Sequence, residues 1–175
     1  MYAPYSILRQ LLSPDKHQLH FHDEETSYYY LLDLVEYMNI FDSKNLHTPI
    51  HPANKQEVGR RLALWALAKD YGKQVAFSGP LYASMETKGN IVVISFNYAE
   101  NGLKSAEGGL QNFQVAGEDR KFVQAKAIIE GNRVIVQSPL VIKPVSVRYL
   151  WDNASEASLF NMEGLPASSF RTDNW

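Results

Sequence analysis

A histidine that stands directly before a predicted helix is the residue of this chain best suited to acid–base chemistry. His51 is followed by Pro52, which restricts the preceding residue to extended conformations, and then by Asn54, a residue type that often caps helices. An imidazole with a fixed backbone and partial exposure can serve as a general base near neutral pH. A His-Pro pair is short, however, and the residues alone favour a histidine that only packs or caps at the helix start.

A second group of histidines raises the question of a metal site. His17, His20 and His22 lie close to Asp23 and Glu24 in the sequence. His20 and His22 would share one side of a strand, but the fixed ligand spacing of a helical metal site is absent. We therefore predict a solvated polar loop here, with no metal ion. The sequence also has no Gly-rich phosphate loop, and we predict no cofactor.

The nucleophile that a general-base histidine would serve is not evident. The sequence contains no cysteine and no G-x-S-x-G motif. Ser78 lies in a Phe-Ser-Gly-Pro run that is typical of a strand end. Asp42 is a candidate to orient His51 only if the intervening loop folds back.

Composition narrows the choice of partners. The 175 residues are 45% hydrophobic and 21% charged, with a formal net charge of −2, as expected of a globular domain. Basic and acidic residues are mixed along the chain, so we predict no nucleic-acid partner. No apolar run is long enough to cross a bilayer, and we predict no membrane partner. Residues 1–5 have neither the basic nor the apolar part of a signal peptide.

The clearest predicted element is a helix over residues 54–71. Glu57 follows Asn54 by three residues, as in a capping box, and Gly72 stands where a left-handed residue would end the helix. The apolar stripe is wide, which predicts packing against a sheet or a larger body. Residues 5–12 and 26–41 are weaker helix candidates, and the second, which contains three consecutive tyrosines, could equally begin as a strand.

Short apolar runs separated by turn signals predict a β-sandwich in residues 73–175. The predicted strands are residues 74–77, 84–88, 90–97, 113–116, 124–130, 133–137 and 145–151. Gly131 and Asn132 predict a hairpin turn. Residues 103–110, which contain two consecutive glycines, predict a loop.

Several separated blocks resemble the sialate O-acetylesterases of the SGNH-like carbohydrate esterase superfamily. The first is His51-Pro52-Ala53-Asn54-Lys55, followed by the run from Val58 to Ala63. Further blocks are Ser78-Gly79-Pro80-Leu81-Tyr82, Val147-Arg148-Tyr149-Leu150-Trp151, Leu159-Phe160-Asn161 through Gly164-Leu165-Pro166-Ala167, and the ending Phe170-Arg171-Thr172-Asp173-Asn174-Trp175. The resemblance covers residues 50–175 almost continuously and in the family's order, whereas residues 10–46 do not match.

The resemblance implies an α+β fold in two parts. Residues 1–72 would be the helical remnant of an SGNH-like α/β hydrolase domain, and residues 73–175 an accessory, mostly antiparallel β-sandwich. It also implies hydrolysis of O-acetyl esters of sugars, classically of sialic acid, in a periplasmic or secreted setting. His51 carries over as the catalytic histidine, whereas no serine of this chain carries over as the nucleophile. We therefore expect the chain alone to be inactive, and to need an N-terminal catalytic fragment or a second copy of itself.

The alternative is a stand-alone carbohydrate-binding or interaction module. Aromatic side chains such as Tyr82, Tyr98, Tyr149 and Trp151 could stack on sugar rings. For residues 147–151, period-2 alternation instead favours a place in the sandwich core.

Overall fold

The computed structural model describes residues 55–152 and 155–175, and within that part it contains one helix and ten strands. They are α1 (Lys55–Lys69), β1 (Leu81–Lys88), β2 (Ile91–Asn97), β3 (Leu103–Ser105), β4 (Phe113–Ala116), β5 (Val123–Gln124), β6 (Lys126–Glu130), β7 (Arg133–Gln137), β8 (Ser146–Tyr149), β9 (Leu159–Asn161) and β10 (Phe170–Arg171). The predicted helices over residues 5–12 and 26–41 lie outside the described residues, as does the predicted loop with His17, His20 and His22.

Helix α1 confirms the predicted helix to within two residues at its C-terminal end. The amides of Tyr71 and Lys73 donate to the carbonyls of Ala66 and Leu67 at 3.1 and 2.8 Å, which satisfies acceptors left over at the helix end. Gly72 adopts a φ of 62°, the left-handed conformation that lets the chain leave the helix axis.

The strands form two four-stranded sheets, in the orders β1-β2-β7-β6 and β10-β8-β4-β5, and a two-stranded sheet of β3 and β9. All of these pairs are antiparallel. Alternate residues of both four-stranded sheets meet in one apolar core, which includes Ile94 and Val136 from the first sheet and Phe113 and Val147 from the second. The α+β class and the antiparallel sandwich are thus confirmed, while the assignment of residues 1–72 to a hydrolase remnant stays a prediction.

The hairpins follow the predicted turn chemistry. Glu130 pairs with Arg133 across a two-residue turn, in which Gly131 has a φ of 64°. The strands predicted over residues 113–116 and 133–137 have the observed bounds. Those predicted over 84–88, 90–97 and 145–151 overlap β1, β2 and β8.

Three strand assignments were wrong. Residues 74–77 form an irregular connector, in which Val75 is 37% exposed instead of packed as in a core strand. Residues 103–105 are strand and not loop, because β9 pairs with them from more than fifty residues away. Residues 124–130 do not form one strand: the chain changes sheets at Ala125, whose amide donates to the Phe113 carbonyl at 2.9 Å. Strands β9 and β10 were not predicted.

Candidate functional site

His51, the predicted catalytic residue, lies outside the described residues, so its place in the site stays a prediction. What the structure describes is the helix that begins just after it in the sequence and the contacts that join this helix to the sandwich. We call these contacts the helix–sandwich junction, formed by Trp65, Phe77, Gly79, Tyr98 and Asn161. Among the described residues, the ring contacts and hydrogen bonds of this junction position α1 relative to the sandwich.

A chain of three aromatic rings crosses the junction. The Trp65 ring, 1% exposed, meets Phe77 edge to face at a centroid distance of 4.8 Å, and Phe77 meets Tyr98 in the same way at 5.2 Å. Edge-to-face pairs at this spacing contribute about 0.5–1.5 kcal/mol each beyond the burial of their surface. The ammonium of Lys69 lies 5.0 Å from the Phe77 ring centroid and adds a cation–π contact from the last turn of α1.

The connector between α1 and β1 lies against the turn that follows β9. A Cβ at Gly79 would overlap the carbonyl of Pro166, so no larger residue fits unless the backbone moves. The buried Asn161 side chain completes the contact: its amide donates to the Ser78 carbonyl at 3.0 Å and to the Tyr98 carbonyl at 3.4 Å. Its oxygen accepts the Leu165 amide at 2.8 Å. One side chain thereby fixes the connector, β2's end and the β9 turn together.

Residue-by-residue reasoning missed Asn161 and Gly79. The available signal for Gly79 was a glycine between a serine and a proline, which indicates a turn or a close backbone approach. Nothing in the local sequence of Asn161 distinguishes a buried amide from a surface residue, because the two carbonyls that its amide contacts lie 63 and 83 positions away.

The N-terminal half of α1 carries a charged group of Glu57, Arg60 and Arg61. Arg60 donates to Glu57 through Nε at 2.8 Å, and Arg61 donates to the same carboxylate at 3.2 Å. The hydrogen bond from Arg60, helped by the charges of both arginines, outweighs desolvation and lowers the pKa of Glu57, and the same bond raises the pKa of Arg60. Arg61 is 7% exposed, and its Nη1 is buried with no hydrogen-bond partner among the described residues.

Ser78 is not arranged as a nucleophile. It is 3% exposed, and its hydroxyl donates to the Gly79 carbonyl at 3.0 Å. Within residues 55–152 and 155–175, no three His, Cys, Asp or Glu side chains come together as a metal site.

A second charged group lies on the sandwich and includes the predicted sugar-stacking residue Trp151. Arg148 donates from Nε and Nη2 to Asp173, both at 2.8 Å, and Arg171 adds an ion pair at 3.0 Å. The Arg148 guanidinium lies 3.8 Å from the Phe122 ring centroid, and the Arg171 guanidinium lies 5.3 Å from that of Trp151. Burial raises the pKa of Asp173, but the hydrogen bond and charge of Arg148 and the charge of Arg171 prevail, and the pKa is lowered.

The four aromatic residues proposed to stack on sugars have protein neighbours. Tyr149 is fully buried, which confirms its predicted place in the core. Tyr82 stacks on Phe170 at a centroid distance of 5.2 Å, and Tyr98 belongs to the junction. An open groove of about 760 Å³ on the sandwich is lined by Thr87, Gly89, Asn90, Glu118, Ile142, Lys143, Pro144 and Val145. Its lining has no aromatic side chain on which a sugar ring could stack.

No described helix has the length and apolar character of a membrane-spanning segment.

The fold has a close counterpart among solved structures. The crystal structure of a carbohydrate acetylesterase from Xanthomonas citri matches with a TM-score of 0.69 and 44% sequence identity. The match covers 73% of this chain and 30% of the Xanthomonas enzyme, so the chain spans less than a third of that enzyme's length. A scan of protein-family models and a search of curated proteins give no match.

Proposed function

We propose that this chain forms the C-terminal part of a carbohydrate esterase that removes O-acetyl groups from sugars. The observation that carries this proposal is the 44% identity to a carbohydrate acetylesterase across 73% of the chain. The sequence blocks that begin with His51 resemble the same class of enzyme, and the shared fold supports the relationship. Because fold alone does not fix function, the proposal depends on the site residues as well.

The proposed reaction is acyl transfer through a serine and His51. The serine oxygen attacks the acetyl carbonyl while the imidazole of His51 takes the serine proton, and a tetrahedral intermediate forms. As the intermediate collapses, the imidazolium returns that proton to the departing sugar oxygen. Water then hydrolyses the acetyl-serine with the same histidine as base, releasing acetate. General acid–base catalysis of this kind contributes about a hundred- to ten-thousand-fold in rate.

The serine and the oxyanion-binding groups are assigned to a part of the enzyme outside this chain. The Xanthomonas enzyme extends well beyond the portion that matches, and Ser78 is buried and hydrogen-bonded to backbone. A serine and its base act as a unit, so a base alone leaves little activity. The isolated chain is therefore proposed to be inactive.

In this proposal the sandwich supports the helix instead of binding substrate. The ring contacts at Phe77 and the hydrogen bonds of Asn161 hold α1 against a rigid core. A misplacement of about 1 Å at a reacting group can cost a hundredfold in rate. The finer proposal, that the acetylated sugar is a sialic acid, comes from the resemblance to sialate O-acetylesterases alone.

The test is a full-length hybrid, in which the matching part of the Xanthomonas enzyme is exchanged for the corresponding residues of this chain together with His51. We expect the hybrid to release acetate from O-acetylated sugars, and His51→Ala to lower kcat/KM by a hundredfold or more (about 10²–10⁴ in general). A folded hybrid in which His51→Ala changes nothing would refute the assignment. Comparing O-acetylated sialic acid with O-acetylated neutral sugars then tests the finer proposal.

The competing module is tested on the 175-residue chain itself. Calorimetric titration with the same acetylated sugars should show no binding. Binding that is lost in Trp151→Ala, with the fold intact by circular dichroism, would favour the stand-alone module over the esterase.

A further inference from the structure

The two four-stranded sheets of the described chain have four edge strands, β1, β6, β5 and β10, and three of them are protected against pairing with another chain. Strands β5 and β10 have two residues each, and the pairing of β1 shifts register between Tyr82 and Ser84, as at a bulge. Short strands and bulges are common protections, because a regular edge exposes backbone groups to which another strand can bind. Strand β6 has neither protection: its five residues pair with β7 in unbroken register and include no proline.

The backbone groups of Ala127 and Ile129 face this open edge. Glu130 and Arg133 close the two-residue turn as a hydrogen-bonded pair, and such pairs alternate with non-bonded pairs along an antiparallel ladder. Ile128 is therefore bonded to β7, whereas the N–H and C=O groups of Ala127 and Ile129 point away from it. Among the described residues, no backbone hydrogen bond joins β6 to a segment other than β7.

The side chains of β6 form a pattern that matches a reversed copy of itself. The strand reads Lys126-Ala127-Ile128-Ile129-Glu130, with a cation at one end, an anion at the other and an isoleucine at the centre. The two charged residues are exposed, and Ile128, on the same outer face, is 48% exposed. Neither charged residue forms an ion pair with another described residue. Antiparallel pairing of two such strands about Ile128 places each lysine opposite the glutamate of the other strand.

We propose that β6 is the docking edge for a second copy of this chain, with the two β6 strands paired antiparallel about Ile128. Ala127 and the partner's Ile129 then exchange N–H···O=C hydrogen bonds, as do Ile129 and the partner's Ala127. An ion pair forms on either side of the central isoleucine contact, and the two four-stranded sheets become one continuous sheet. The contact is small, so we expect a monomer–dimer equilibrium that depends on concentration. The inference does not depend on the proposed function.

Sedimentation equilibrium of the 175-residue chain tests the association itself. Measured from about 1 μM to about 1 mM, the range in which weak complexes dissociate, the mean mass should rise from that of the monomer towards that of the dimer. A chain that stays monomeric over the whole range would refute the proposal.

Charge-reversal variants test the register. Lys126→Glu and Glu130→Lys each place like charges opposite one another in a homodimer, so each should raise the dimer Kd about tenfold. An equimolar mixture of the two variants restores opposite charges at both ends, and it should form a heterodimer with a Kd near that of the wild type. Lys88→Glu is the matched control, because it reverses an exposed lysine on β1, the other edge of the same sheet, and it should leave the Kd unchanged.

Two results with these variants would contradict pairing through β6. One is a rise in Kd with Lys88→Glu as large as that with Lys126→Glu. The other is a mixture that associates no better than either variant alone, with all variants folded by circular dichroism.

Hydrogen exchange distinguishes a second copy of the chain from another segment of the same chain at this edge. Protection of the Ala127 and Ile129 amides should increase with protein concentration, whereas the Ile128 amide, bonded to β7, should be protected at every concentration. Protection of Ala127 and Ile129 that is independent of concentration would mean that another segment of the same chain covers the edge, and the proposal would be wrong. A dimer in which these two amides stay unprotected would equally overturn it.

Discussion

Two arginines, the half-buried Arg148 on the sandwich and the buried Arg61 on the helix, differ in how fully their donors are paired within the described residues. On the sandwich, Arg148 makes a two-pronged contact with Asp173 at 2.8 Å and lies over the Phe122 ring at 3.8 Å. On the helix, Arg61 makes one bond of 3.2 Å to Glu57 and leaves Nη1 without a partner in the described part of the chain. A bidentate arginine–carboxylate pair such as Arg148–Asp173 is a strong form of ion pair, whereas the single hydrogen bond of 3.2 Å from Arg61 to Glu57 is weaker.

This difference in pairing shows which of the two regions satisfies its buried charges with described residues. A buried charge is tolerable when its desolvation is offset by hydrogen bonds, and costly when one of its donors stays unpaired. The sandwich meets that condition with its own residues, since the ion pairs of Asp173 come from Arg148 and Arg171. Helix α1 does not meet it within the described residues, where Nη1 of Arg61 has no acceptor.

The largest expected effect is the loss of stability when Arg148 is replaced, and the matched comparison is the replacement of Arg61. Arg148→Met leaves the fully buried Asp173 carboxylate without its bidentate partner and should lower the free energy of unfolding by about 3 kcal/mol. Arg61→Met removes an arginine whose Nη1 has no acceptor among the described residues. It should change the free energy of unfolding by less than about 1 kcal/mol, in either direction. Urea unfolding of the isolated chain measures both. Similar losses of unfolding free energy in the two variants would show that the two arginines are equally well paired, which would contradict the difference described above.

A smaller loss is expected when a core hydrogen-bond acceptor is removed. The Tyr149 hydroxyl accepts the backbone amides of Ser158 and Leu159 at 2.9 and 3.0 Å, and so ties the β9 segment to the core. Tyr149→Phe leaves both buried amides unpaired and should cost about 2 kcal/mol. Tyr71→Phe, at a 71% exposed site on the helix side, is the control and should stay within about 0.5 kcal/mol in the isolated chain. A large loss at Tyr71 would mean that the helix end is already packed.

The same contrast explains which features could be predicted from the sequence. Helix α1, the 130–133 hairpin and the core strands β4 and β7 depend on local signals: a helical period, a Gly-Asn turn and alternating apolar residues. Strands β3, β9 and β10 have two or three residues each, and they exist because partners distant in sequence pair with them.

The candidate site was less predictable than the fold for a related reason. Asn161 acts through carbonyls at Ser78 and Tyr98, and such partners cannot be inferred from the residues around it. Gly79 carries a local signal but not the identity of the residue that approaches it, Pro166. The role of His51 was inferred from its residue type and from family resemblance, and it stays a prediction that the hybrid enzyme can test.

Acid should weaken the sandwich through Asp173. Because its pKa is lowered in the folded chain, this carboxylate stabilises the fold fully above its unfolded pKa of about 3.9 and loses that contribution as pH falls through the folded value. The difference in unfolding free energy between the wild type and Asp173→Asn should therefore shrink as the pH falls below about 5. Glu57→Gln should show the same sign with a smaller change, since the Glu57 side chain is 28% exposed and is screened by solvent. A difference that grows on acidification would reverse the sign and contradict the assigned ion pair.

The smallest expected effect concerns the cation–π contact of Lys69, compared with that of Arg148. Lys69 lies 5.0 Å from the Phe77 centroid at an exposed position, whereas Arg148 lies 3.8 Å from Phe122 and is largely shielded from water. Lys69→Met keeps much of the apolar stem and removes only the charge, so it should lower the free energy of unfolding by about 0.5 kcal/mol, the lower end for exposed pairs. Lys69→Arg, which keeps a cation over the ring, should restore the wild-type value. If both variants have the wild-type free energy of unfolding, the cation–π contact of Lys69 contributes nothing. The junction would then be held by ring packing and the Asn161 hydrogen bonds alone.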